Sequence, residues 1–116
     1  MGRYTFMNLQ YTDNHVEDVI TDLIMKTVIN RDVYLTKAYV SILWDTVFAK
    51  KIAINITHDN FEKIYYFDTN HISANEILKD EELFQRIRDS IADYTFAYYD
   101  HCMNERINVY ETKSQR

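Results

Sequence analysis

The stretch KIAINITHDNFEKIYYF, residues 51–67, decides the fold. Ile52, Ile54 and Ile56 alternate with Ala53, Asn55 and Thr57, the two-residue period of a half-buried strand. His58, Asp59 and Asn60 follow, and Asp and Asn tolerate positive φ where glycine is missing. Phe61 to Phe67 returns as a second strand, with Tyr65 and Phe67 on one face and Ile64 and Tyr66 on the other. A strand apolar on both faces is central or borders an interface. The stretch therefore predicts a hairpin, 51–57 paired with 61–67.

Upstream, Asp32 can cap a helix over 33–50, with Leu35, Ala38, Tyr39, Ile42, Leu43 and Val47 as its apolar stripe. Tyr34, Val40, Trp44 and Phe48 are apolar as well, so this helix is central or covered by a partner. Its β-branched content leaves a strand over 33–43 as the alternative. Further upstream, Asn14 and Glu17 form the Asn version of a capping box. Val16, Val19, Ile20, Leu23, Ile24 and Val28 then repeat at helical spacing, giving a helix over 14–29 with Asp18, Asp22 and Lys26 on its other side. Residues 3–8 suit a short strand that can add to the hairpin.

Downstream, Ser73 and Glu76 make a full capping box, with Ile72 and Ile77 at the staple positions. A short helix is expected over 74–79 and a long one over 81–105, whose stripe is Leu83, Phe84, Ile87, Ile91, Tyr94, Tyr98 and Cys102. The fold expected is α+β: one domain, 1–116, with a small antiparallel sheet against three or four helices.

Composition limits the chemistry. The chain has no proline and one glycine, Gly2, so phosphate-cradling loops and nucleophile elbows have no glycine to turn on. Cys102 has no second cysteine to pair with, and its place on an apolar stripe reads as a core thiol. No apolar run approaches the roughly 20 residues of a membrane span, and MGRYTFMNLQY lacks the apolar region of a signal peptide, so an intracellular location is expected. The bias toward Ile, Asn, Lys, Tyr and Asp suits an AT-rich gene of the kind that phages and large DNA viruses carry.

Candidate sites follow from elimination. His15, His58, His71 and His101 are scattered; only His101 and Glu105 stand one helical turn apart, and structural zinc wants four ligands. No metal, cofactor or catalytic group is expected, and no enzymatic activity. Net charge −5 disfavours general nucleic-acid binding. What remains is an aromatic excess of 10 tyrosines, 6 phenylalanines and a tryptophan, the residue types enriched at protein interfaces. Tyr94, Phe96, Tyr98 and Tyr99 stand at four angular positions of one helix, more than one core can face. Asp89, Asp93 and Asp100 line one side of that helix, where like charges at helical spacing cost a few tenths of a kcal/mol and suit a basic partner.

The expectation is a small accessory, regulatory or inhibitory protein that docks on another protein. Its contact residues would be Tyr65, Phe67, Asp89, Asp93, Phe96, Tyr99 and Asp100, and a homodimer through the same aromatics is compatible with it. The second reading is a nucleic-acid-binding regulator of winged-helix-like topology. It needs Arg31, Lys37, Lys50, Lys51 and Lys63 to converge.

Overall fold

Asp59 and Asn60 stand at φ 51° and 69°, the two positive-φ positions that a two-residue hairpin loop demands. They close the hairpin that the alternation of residues 51–67 calls for. The computed structural model describes residues 11–28 and 36–114. Its elements are α1 (Asp13–Val28), β1 (Thr36–Thr46), β2 (Ala49–His58), β3 (Phe61–Asp68), α2 (Ala74–Lys79) and α3 (Glu81–Ser114). The strands form one antiparallel sheet in the order β1-β2-β3. The fold is α+β, with the helices against one face of the sheet. The strand expected over 3–8 lies outside the described residues.

One element changes type. Residues 36–46 are strand β1, paired with β2 from Thr36↔His58 to Thr46↔Ala49, and not part of a helix over 33–50. Val47 and Phe48 form the connecting turn. Thr36, Val40, Ile42 and Thr46 are β-branched and lose side-chain freedom in a helix. Apolar residues on both faces of a strand also satisfy helical spacing by coincidence, which is why the stripe looked helical. β2 supplies the tertiary reason: fully buried isoleucines on one face make it a central strand, and a central strand needs a ladder on each side.

The inner sheet face carries Ile52, Ile54, Ile56 and Phe67, flanked by Ala38, Val40, Ile42, Phe61 and Tyr65. It packs on Val16, Ile20 and Ile24 of α1, Ala74 and Ile77 of α2, and Leu83, Ile87, Ile91 and Tyr94 of α3. The cap of α1 is Thr12, two residues before the Asn14 cap expected from sequence. The Thr12 carbonyl accepts from the His15 and Val16 amides at 3.1 and 3.3 Å. Glu17 is thereby freed from capping, and its carboxylate accepts the Ile42 amide of β1 at 3.0 Å. This partners one backbone group on the outer edge of the sheet.

The capping box at Ser73 forms as read: the Glu76 amide donates to Ser73 Oγ at 3.2 Å. Ile77 is buried, but Ile72 is exposed, so the staple is not closed. Asp80 ends α2 and starts α3, accepting the Leu83 amide at 3.0 Å and bonding His71 Nε2 at 2.8 Å. These two bonds, the Leu83 amide first, hold its carboxyl below the usual Asp range.

α3 is longer than the 81–105 read from sequence. Its 34 residues span about 51 Å. Among its described side chains the last fully buried one is Tyr94, whose hydroxyl donates to the Phe61 carbonyl. Tyr98 meets His58 edge-on at 4.8 Å, and His101 stacks on Phe61 at 4.7 Å. These rings clasp α3 to the Asp59–Asn60 end of the hairpin. No helix among the described residues is long and apolar enough to cross a membrane.

Candidate interaction surfaces

Among the described residues, two exposed apolar surfaces lie on opposite sides of the molecule. The first is the outer side of α3. Phe96, Tyr99 and Met103 follow at i, i+3 and i+7 and are all well exposed. At 100° per residue they fall within about 60° of one another. Leu83, Ile87, Ile91 and Tyr94, the buried set, lie about half a turn away on the same helix. Asp89 and Asp100, both exposed, fall about 20–40° to one side of Phe96. The result is an apolar ridge with an acidic flank. Asp89 also accepts a hydrogen bond from Gln85 Nε2 at 3.0 Å.

The second surface is the outer face of the sheet. The ladder sets its side chains in four rows: Lys37–Thr57–Glu62, Tyr39–Asn55–Ile64, Ser41–Ala53–Tyr66 and Leu43–Lys51–Asp68. The middle strand contributes small side chains in three rows, and the outer strands carry the large ones. Tyr39, Leu43, Ile64 and Tyr66 are exposed and stand as walls to a shallow trough floored by Ala53 and Asn55. The polar groups of the middle strand already have partners. Asn55 Nδ2 donates to Glu62 Oε2 at 2.7 Å, Thr57 Oγ1 donates to Asn55 Oδ1 at 3.2 Å, and Lys51 lies 3.6 Å from Asp45 and 3.9 Å from Asp68. Covering the trough therefore strands few unpaired polar atoms. At the β1–β2 turn Val47 and Phe48 are each 79% exposed. Trp44, on the inner-face side of β1, lies under the Lys50 ammonium at 4.8 Å.

The residues singled out from sequence are divided by this geometry. Asp89, Phe96, Tyr99 and Asp100 come together on α3. Asp93 shares that helix but turns toward the sheet, taking Lys63 Nζ at 3.0 Å and the Tyr65 hydroxyl at 2.7 Å. Those two bonds, Tyr65 first, hold its carboxyl below the ordinary Asp range. Burial first and then Asp93 push the Tyr65 phenol up. Phe67 is a core residue, 8% exposed. β3 has the two faces expected, but Ile64 and Tyr66 face outward while Tyr65 and Phe67, the pair expected at the contact, face inward. The sequence reading also missed Tyr39, Leu43 and Met103. The signal for the first two was present, because reading 36–46 as a strand puts odd-numbered residues on the face opposite Ala38, Val40 and Ile42.

Other chemistry is spoken for. His71 and Asp80 form a pair, but both Asp80 oxygens serve the join between α2 and α3. His101 Nε2 lies 3.4 Å from Glu105, and no group of three His, Cys, Asp or Glu side chains among the described residues is arranged to hold a metal ion. Hydrogen bonding to Cys102, then burial, pushes the Tyr98 phenol up to about 12. No protein-family model matches the chain, and neither does any curated protein or solved structure compared with it.

Proposed function

We propose that this chain is a non-enzymatic docking protein, an accessory or inhibitory component that binds another protein through the outer side of α3. The observation that supports this best is the exposed ridge of Phe96, Tyr99 and Met103 beside Asp89 and Asp100. Contiguous exposed apolar surface is costly to a free chain, and aromatic anchors carry most interface energy. The acidic flank selects the partner: an apolar groove bordered by Lys or Arg. Charge of this kind acts mainly on encounter rate and on rejection of acidic competitors.

The nucleic-acid reading loses its premise. Its recognition helix would lie in 33–50, where β1 runs. Lys50 faces inward and is bound to Asp13 at 2.9 Å, Lys63 is bound to Asp93, and Lys37 and Lys51 stand at opposite ends of the outer face. Arg31 lies outside the described residues.

The test uses the immobilised full chain to capture partners from cells that make it, followed by kinetics on the captured protein. Phe96→Asp with Tyr99→Asp should abolish capture. Asp89→Lys with Asp100→Lys should slow association about tenfold and flatten its salt dependence. Unchanged capture and unchanged on-rates in both would refute the reading.

A further inference from the structure

The outer sheet face is independent of α3 and has its own logic. The geometry points to a second copy of this chain as its occupant, seated face to face about a two-fold axis that runs along β2. Such an axis exchanges β1 and β3 while keeping each row at the same height. In the first row, Lys37 then meets the partner's Glu62, and Glu62 meets the partner's Lys37. In the second row, Tyr39 covers the partner's Ile64. In the third, Tyr66 lies over the partner's Ser41, large against small, while Ala53 meets its own copy on the axis.

The other in-plane axis, across the strands, fails the same check. It would set Glu62 against the partner's Asp68, like charge on like. The chosen axis brings the two Lys51 side chains near each other in the fourth row. Each is bracketed there by Asp45 and Asp68 of its own chain, so four carboxylates surround two ammonium groups.

Size fits as well. Three strands about 4.8 Å apart and seven residues long give a face about 14 by 24 Å in plan. Its four large side chains expose on the order of 400 Å² of apolar surface, the size of the largest and often functional patch on a soluble chain. With the polar frame counted, two such faces reach roughly the 1,200 Å² lower bound of a standard specific interface.

The test is solution mass by light scattering on the full chain. The chain weighs 14.0 kDa, so the dimer has twice that mass. Lys37→Glu and Glu62→Lys should each raise the dissociation constant about tenfold, and the double charge swap should restore it. Circular dichroism on each variant separates lost pairing from lost folding. Phe96→Asp with Tyr99→Asp should leave the mass at that of the dimer, so this proposal and the α3 reading stand or fall separately. A wild-type monomer at about 100 μM chain would overturn the proposal and hand the face to another segment or partner. So would a dimer that the single charge variants leave intact, or one that the α3 variant splits.

Discussion

Tyr66 and Phe67 are adjacent aromatic residues on opposite faces of β3, and replacing each with alanine tests the register directly. Phe67 is 8% exposed and belongs to the cluster around Ile52, Ile87 and Ile91. Its truncation removes buried apolar surface and leaves a cavity, at a cost of about 3–5 kcal/mol. Tyr66 is 65% exposed, so its truncation forfeits only cross-strand contacts, about 0.2–1 kcal/mol. With a urea m-value of about 1.5–2 kcal/mol/M, the Phe67 variant loses roughly 2 M in midpoint and the Tyr66 variant less than about 0.7 M. Far-UV circular dichroism at sub-micromolar chain, below the range of self-association, is the assay. At higher concentration the Tyr66 penalty should grow, because dimerisation adds stability by mass action, and the Phe67 penalty should not. Equal losses, or a larger loss at Tyr66, would mean that the strand faces are assigned backwards. The trough and the dimer would then both be wrong.

Three further outcomes follow from single contacts. Asn60→Val forces a β-branched residue into the left-handed region at φ 69° and should cost about 1–2 kcal/mol by chemical denaturation. Asp80→Asn weakens the start of α3. The Asp80 pKa is lowered in the folded chain, so its contribution is present above the ordinary Asp pKa and lost as pH falls through the folded value. The variant should therefore lower the melting temperature at neutral pH and flatten the acid limb below about pH 4. Tyr94→Phe removes the bond to the Phe61 carbonyl, worth about 1 kcal/mol. Burial pushes this phenol up to about 12. Its stabilisation is complete below pH 10 and lost as pH rises toward 12, so the variant should show a shallower alkaline decline of stability.

Where local chemistry had one solution, the sequence was readable. The Ile52-Ile54-Ile56 alternation and the Asp59–Asn60 turn dictated the hairpin, and Val16, Ile20 and Ile24 dictated the buried side of α1. The capping box at Ser73 placed α2. Two apolar faces defeated the reading elsewhere. On β1 they imitated a helical stripe, and only the unmet ladder of β2 distinguishes the two. On β3 the pattern separates the two faces without saying which is outer, and it is Ile64 and Tyr66 that face outward. Glu17 misled in a different way: it fits a capping box locally, but a tertiary donor, the Ile42 amide, claims it. The α3 surface was largely legible, since angular position on a helix follows from spacing alone. Asp93 was the exception, because Lys63 and Tyr65 reach it from a strand 28–30 residues away in sequence.

Photo-crosslinking in cells that make the protein tests the central claim most directly, with a benzophenone side chain placed at Tyr99 in one variant and at Tyr66 in another. The account predicts a heterologous protein adduct from Tyr99 and a chain-to-chain adduct of twice 14.0 kDa from Tyr66. No adduct from Tyr99 while the chain stays folded would contradict the docking role of α3.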